Sequence, residues 1–297
     1  MNTMFSSTAV TRTENGSTII ATVNNGIIID NDGNRTFSFP IIKNQIRDLK
    51  CVGRIVYGVG DNGLFIKSLN EGKDWIIKQF PTKASVWSVC CNSNGLVVAH
   101  GDKVIYISTN YGETWKIISP FKVSKPPSIR SLCLHDNMLF IGAKIHPING
   151  GIWMLDLQTY KFTRVKAESD KMISSMLVNN GLLVAVSGSC RGRDGAVAYL
   201  PIKSLFLENS RWNQCTSTIS NGSYLDISAH NGIVYTTSSQ NDSGYSTVSR
   251  VYLENQLVVP CDYVKGHGWR ICNENENYIV AGQYETRFFE KDSKRVC

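Results

Sequence analysis

Apolar residues are arranged along this chain in short blocks separated by polar turns. Ile46-Arg47-Asp48-Leu49 is followed by Ile55-Val56-Tyr57-Gly58, and Val86-Trp87-Ser88-Val89 by Leu96-Val97-Val98. Ile129-Arg130-Ser131-Leu132 precedes Met138-Leu139-Phe140-Ile141-Gly142 in the same way. The pair of blocks returns at Ile173-Ser174-Ser175-Met176, at Tyr224-Leu225-Asp226-Ile227 and at Trp269-Arg270-Ile271. A weaker copy opens the chain at Ala9-Val10-Thr11 with Thr18-Ile19-Ile20-Ala21. Val, Ile, Tyr, Phe, Trp and Thr fill the blocks, and Gly, Asn, Asp and Ser fill the gaps, which is strand and turn chemistry. No amphipathic helix of roughly ten residues or more is predicted.

Aligned on Leu49, Val89, Leu132, Met176, Ile227 and Ile271, the copies lie 40, 43, 44, 51 and 44 residues apart. Each period has room for about four short strands, the signature of a β-propeller. With the weaker first copy the count is seven. The reading is therefore all-β: one seven-bladed propeller of four-stranded antiparallel blades, a single domain over residues 1–297. The last period is short of a fourth strand, so the termini are expected to meet in one blade, with residues 1–6 supplying or extending the missing edge.

A second motif lies in the later part of two periods. Ser68-Leu69-Asn70-Glu71-Gly72-Lys73-Asp74-Trp75 and Ser108-Thr109-Asn110-Tyr111-Gly112-Glu113-Thr114-Trp115 both read S-x-N-x-G-x-x-W. Asn suits the cap of a tight turn, Gly a positive φ, and Trp a return into the blade. The motif resembles the Asp-box, or bacterial neuraminidase repeat, with Asn in place of its Asp. That resemblance implies a propeller and a structural role for Ser68, Asn70, Gly72, Trp75, Ser108, Asn110, Gly112 and Trp115. It places these turns between third and fourth strands, away from any working face.

Blade connections and second-to-third strand loops share the opposite face. These loops are minimal early in the chain and lengthen over residues 144–150, 187–194 and 238–245. The expected partner-binding surface combines those loops with the starts of the first strands. Its candidates are Arg47, Arg130, Arg270, Trp87 and Trp269 from the strand starts, and His146, Arg191, Arg193 and Tyr245 from the loops. Arg and Trp are the residue types that dominate binding hot spots. Asp48, Ser88, Ser131, Ser175, Asp226 and Arg270, one position further along, read as a polar lining of the channel mouth.

Composition narrows the function. The chain has 42% hydrophobic and 19% charged residues, a folded rather than a disordered composition. No apolar run has the length of about 18 residues that a membrane helix needs, and no basic-then-apolar leader opens the chain. The net charge of +7 is spread without a basic stripe, so no nucleic-acid partner is expected. The nine cysteines form no C-x-x-C pair and sit largely in apolar runs, so buried, reduced thiols are expected, in the cytoplasm or a virion. No metal or cofactor is expected. The leading function is a non-catalytic scaffold that binds another protein in a larger assembly, a viral structural or accessory protein being one home. A sialidase-like glycosidase is the alternative the Asp-box implies, with Arg47, Arg130 and Arg270 gripping a carboxylate near Tyr224 and Asp226. The early F/Y-R-I-P motif of that family is absent. A glycan-binding attachment protein is the third reading.

Overall fold

The computed structural model describes residues 5–23, 26–39, 44–189, 195–207, 210–218 and 222–290. It contains 27 β-strands and two single-turn 3-10 helices among those residues. Strands β1 to β4 (Ser7–Arg12, Thr18–Thr22, Gly26–Asn31, Asn34–Phe39) form a four-stranded antiparallel sheet in chain order. So do β5 to β8 (Ile46–Val52, Ile55–Gly60, Leu64–Ser68, Ile76–Gln79), β9 to β12 (Ser88–Cys91, Val97–His100, Ile105–Ser108, Lys116–Ile118) and β13 to β16 (Ile129–His135, Met138–Ala143, Gly151–Asp156, Phe162–Ala167). The first strand of each sheet touches the first strand of the next, and β25 (Gly268–Glu274) returns to β1, closing a ring around a central channel. The fold is an all-β propeller of four-stranded antiparallel blades.

One detail differs from the expectation. Strands β17 to β20 (Met172–Asn179, Leu182–Gly188, Ala196–Pro201, Asn213–Ser217) and β21 to β24 (Tyr224–His230, Ile233–Ser238, Tyr245–Tyr252, Leu257–Lys265) form one eight-stranded sheet. The two halves join where β20 and β24 pair in parallel, Thr216 with Leu257 and Ser217 with Val258. The last sheet has three described strands, β25, β26 (Asn277–Gly282) and β27 (Thr286–Phe289). Residues 1–4 and 291–297, on which the expected edge largely falls, lie outside the described residues. β1 is the innermost strand of its own sheet, which is stitched to the last sheet by Thr286 Oγ1 donating to the Phe5 carbonyl at 2.9 Å.

The core follows from period-two patterning on strands buried on both faces. It is a chain of clusters, each shared by two neighbouring sheets. Ile19, Ala21 and Ile27 pack on Leu49, Val56 and Ile66; Tyr57 and Phe65 pack on Val89, Val97 and Tyr106. Val10 and Ile20 pack on Ile279 and Ala281 across the closure. The seven described cysteines are free thiols, but only Cys90, Cys133 and Cys215 are buried, and Cys261 is exposed. The expectation of buried thiols is thus met in part; Cys190 and Cys297 lie outside the described residues. Among the described residues no helix is long and apolar enough to cross a membrane.

The two S-x-N-x-G-x-x-W turns have the same geometry. Ser68 Oγ accepts the Gly72 N–H at 2.8 Å, and Asn70 Oδ1 accepts the Asp74 N–H at 2.9 Å. Ser108 and Asn110 repeat these bonds at 2.9 and 3.0 Å. The tryptophans do more than pack under their own turns. Trp115 meets Phe65 of the preceding sheet edge-on, with centroids 5.1 Å apart, and Trp75 Nε1 donates to Ser38 Oγ at 2.9 Å, also in the preceding sheet. Each turn therefore clamps two sheets together.

Candidate functional site

The starts of the first strands carry a repeated irregularity. The pairing of first with second strand slips by one residue between Ser7 and Ala9, Ile46 and Asp48, Ile129 and Ser131, Ile173 and Ser175, Tyr224 and Asp226, and Gly268 and Arg270. The residue skipped each time is Thr8, Arg47, Arg130, Ser174, Leu225 or Trp269. A bulge re-aims its extra side chain instead of leaving it in the pleat. Here it turns Arg47, Arg130 and Trp269 toward the mouth of the channel, where Trp87 of the third sheet joins them.

The next position does different work. Asp48 accepts from Ser88 Oγ at 2.9 Å and from the Val89 N–H at 3.1 Å, both on the following sheet. Asp226 accepts the Ile271 N–H at 3.0 Å, and Ser131 Oγ donates to the Ile173 carbonyl at 2.8 Å. These residues clasp one first strand to the next. The expected polar lining is present, since these residues face the channel, and in addition they hold the ring together.

At the mouth lies a cavity of about 480 Å³. Arg47, Trp87, Arg130, Trp269 and Arg270, all singled out in the sequence, line it together. Their charges are handled unequally. Arg47 makes a two-pronged ion pair with Asp61, Nε and Nη2 lying 3.0 and 2.8 Å from its oxygens, and stacks 5.1 Å over Trp87. Arg270 Nε donates to Asp48 Oδ1 at 3.1 Å, and its Nη1 lies 4.0 Å from Asp226. Burial alone would push the Asp48 carboxyl up, but the Arg270 and Lys50 charges and the bonds from Val89 and Ser88 hold it low. Among the described residues the partly buried Arg130 side chain makes no ion pair, though Asp226 and Asp48 attract it across the channel. Burial, and then repulsion from Arg270, pushes its guanidinium down to about 10.

The sequence reading missed His100 and Lys144, which line the same cavity. His100 ends β10 and is fully buried. Its Nδ1 lies 2.7 Å from the Gly101 carbonyl, so that nitrogen carries the proton and Nε2 is left as an acceptor without a partner. Burial pushes the ring down to about 4, with Arg130 adding to the shift against the Gly101 bond. A signal for it existed. The corresponding second-strand positions hold Val59, Gly142, Val186, Thr237 and Ala281, and a ring among such small residues is conspicuous.

Other expected contacts lie apart. His146 caps its own loop, its Nδ1 accepting the Asn149 N–H at 2.9 Å, and Tyr245 stands exposed at the start of β23. Neither lines the cavity, which is built from the first four sheets and the last one, with Lys144 its one residue from the long loops among the described residues. Arg191 and Arg193 lie outside the described residues. Tyr224 is buried in a core cluster, where it reaches no substrate. Among the described residues no group of three His, Cys, Asp or Glu side chains is placed to hold a metal ion.

No family model matches the chain. The uncharacterized protein YkuO of Bacillus subtilis (strain 168) is 41% identical over 252 residues, covering 84% of each chain. Among solved structures, U3-55K superposes with a TM-score of 0.70 at 9% identity, over 94% of this chain and 89% of that one. YCF48 bound to a D1 peptide gives 0.69 at 13% identity, over 98% and 97%. YCF48 from Cyanidioschyzon merolae gives 0.67 at 14% identity, over 96% and 95%. At such identities the solved structures speak for the fold alone. The relationship to YkuO is closer, and by its identity and coverage this chain belongs to the YkuO family.

Proposed function

We propose that this protein is a non-catalytic seven-bladed propeller that holds a peptide segment of another protein at the mouth of its channel. The observation that carries the reading is the cavity itself. It is concave and presents Trp87 and Trp269, each more than a third exposed, beside arginines. Exposed tryptophan beside arginine on a rigid scaffold is the chemistry of an interface anchor. The structural neighbour YCF48, bound to a D1 peptide, supports a peptide as the form in which a partner is presented. The blade count rests on the inner strands β1, β5, β9, β13, β17, β21 and β25, with the eight-stranded sheet read as two blades joined at the rim. The S-x-N-x-G-x-x-W turns are read as Asp-box turns with a structural role.

The glycosidase alternative is weaker, because Arg47 and Arg270 are already engaged by Asp61 and Asp48. The test is capture of partners by the wild-type chain and by Trp87→Ala and Trp269→Ala. One stoichiometric protein retained by the wild type and lost by both variants is expected. A partner held equally by all three, or glycan-array binding with no protein partner, would overturn the reading.

A further inference from the structure

The cavity at the channel mouth carries an unbalanced charge, which narrows what it takes. Its described lining includes four cations, Arg47, Arg130, Lys144 and Arg270, and no carboxylate. Arg47 and Arg270 have their own acids close by, and Lys144 Nζ lies 3.8 Å from Asp102. Among the described residues Arg130 makes no ion pair, and the Asp226 and Asp48 charges reach it only across the channel. It is partly buried, and a half-desolvated arginine without a direct partner is open to an anion supplied from outside. A second orphan lies in the same wall. His100 Nε2, fully buried, is an acceptor with nothing donating to it.

We infer that this cavity is a carboxylate-binding site, with Arg130 as the anchoring cation and the rings of Trp87 and Trp269 flanking the apolar group that carries the carboxylate. A planar guanidinium fork matches a carboxylate with two parallel hydrogen bonds, and such charge-assisted pairs are stronger than neutral ones. A peptide's chain terminus offers this group with an N–H donor nearby, which would suit the unpartnered acceptor on His100. A Glu or Asp side chain offers the carboxylate alone. The inference deepens the peptide reading above, and rests on it only for the source of the carboxylate. Arg130 therefore serves binding at the expense of stability, as functional sites often do.

The test uses the full chain and matched probes. 3-Phenylpropionate is compared with 3-phenylpropionamide, and an N-acetylated hexapeptide pool with free C-termini with its C-amidated counterpart. A C-amidated pool with an internal Glu is the third peptide arm. The acid is expected to bind at least about tenfold more tightly than the amide, and Arg130→Met to abolish that preference. In the same variant the unliganded melting temperature is expected to hold or rise, because a partly desolvated charge is removed and no ion pair is lost with it. Should Arg130→Met not accumulate, Arg130→Lys keeps the charge, loses the fork and is expected to lower the preference.

Preference for the free-acid pool identifies a chain terminus, and preference for the Glu pool a side chain. Equal binding of acid and amide overturns the carboxylate inference even where peptides bind. Small acids that bind through Arg130 while no peptide pool does so sustain it and overturn the peptide reading. A large fall in melting temperature with the acid preference intact would show Arg130 to be structural and end the proposal.

Discussion

At the residue scale, single side chains here are governed by what approaches them. Gly112 sits at φ 79°, and a Cβ there would meet Phe65 Cζ at 2.5 Å. Gly112→Ala is expected to lower stability by more than about 1 kcal/mol, since both the backbone strain and the clash oppose it. Chemical denaturation checks this. His100 gives a pH prediction. Its folded pKa, about 4, lies below the ordinary 6.5, so between those values the unfolded chain binds more protons. Stability is then present near neutrality and is lost as pH falls from about 6.5 toward 4, by an amount on the order of 3 kcal/mol. The charged neighbours that modulate this ring are Arg130, Asp48 and Arg270. His100→Gln is expected to flatten that limb of a melting-temperature profile, whereas the wild type should fall along it. Asp48 acts lower: its carboxyl is held below the usual carboxylate value, so its contribution is complete above about pH 4 and fades only below it.

At the element scale, the unit of stability is the joint between two sheets. Trp115 touches Phe65 and Phe80 of the preceding sheet, with centroids 5.1 and 4.6 Å away. Lys67, almost fully buried, reaches from that sheet to the Tyr111 carbonyl at 3.1 Å and to Glu113 at 2.5 Å. Trp115→Ala is expected to cost roughly 3 kcal/mol, the scale of a large truncation in a packed site. The Asp48 clasp is a second joint. Asp48→Ala removes an acceptor from the following first strand and leaves Arg270 buried without its nearer acid. A loss of about 3 to 5 kcal/mol is expected, read by urea unfolding. Lys67→Met, which repacks apolar volume, is expected to cost less than Trp115→Ala.

At the scale of the whole molecule, the closure of the ring among the described residues is made by side chains. β1 and β25 pack against each other, and Val10, Ile20, Ile279 and Ala281 form the apolar seal. The last sheet has three described strands, against four or more in each of the others. Among the described residues the seal buries four apolar side chains, against nine in the cluster between the first two sheets, and a smaller apolar joint lowers the cost of local opening. Amide hydrogens of β26 and β27 are therefore expected to exchange well before those of β6 and β7. Equal protection of the two pairs would show closure to be as firm as any other joint.

The strand blocks, the turns and their period were legible in the sequence because they depend on neighbours a few residues away. Asn70 and Gly72 make their turn from within it, and Ile46 to Leu49 announces its strand by its own alternation. The partition of the strands into sheets was less so. β20 and β24 join across the rim through contacts that no local pattern encodes. The site divides in the same way. Arg47 and Arg130 look alike in sequence, each following an isoleucine at the head of a first strand. Only the tertiary structure separates them, because Asp61 comes back to pair with Arg47 while, among the described residues, no acid forms an ion pair with Arg130. Arg270 finds Asp48 from 222 residues away. The strand pattern is a property of neighbours in the chain. The charge left over at the channel mouth depends on which groups the closed ring brings within a few ångströms.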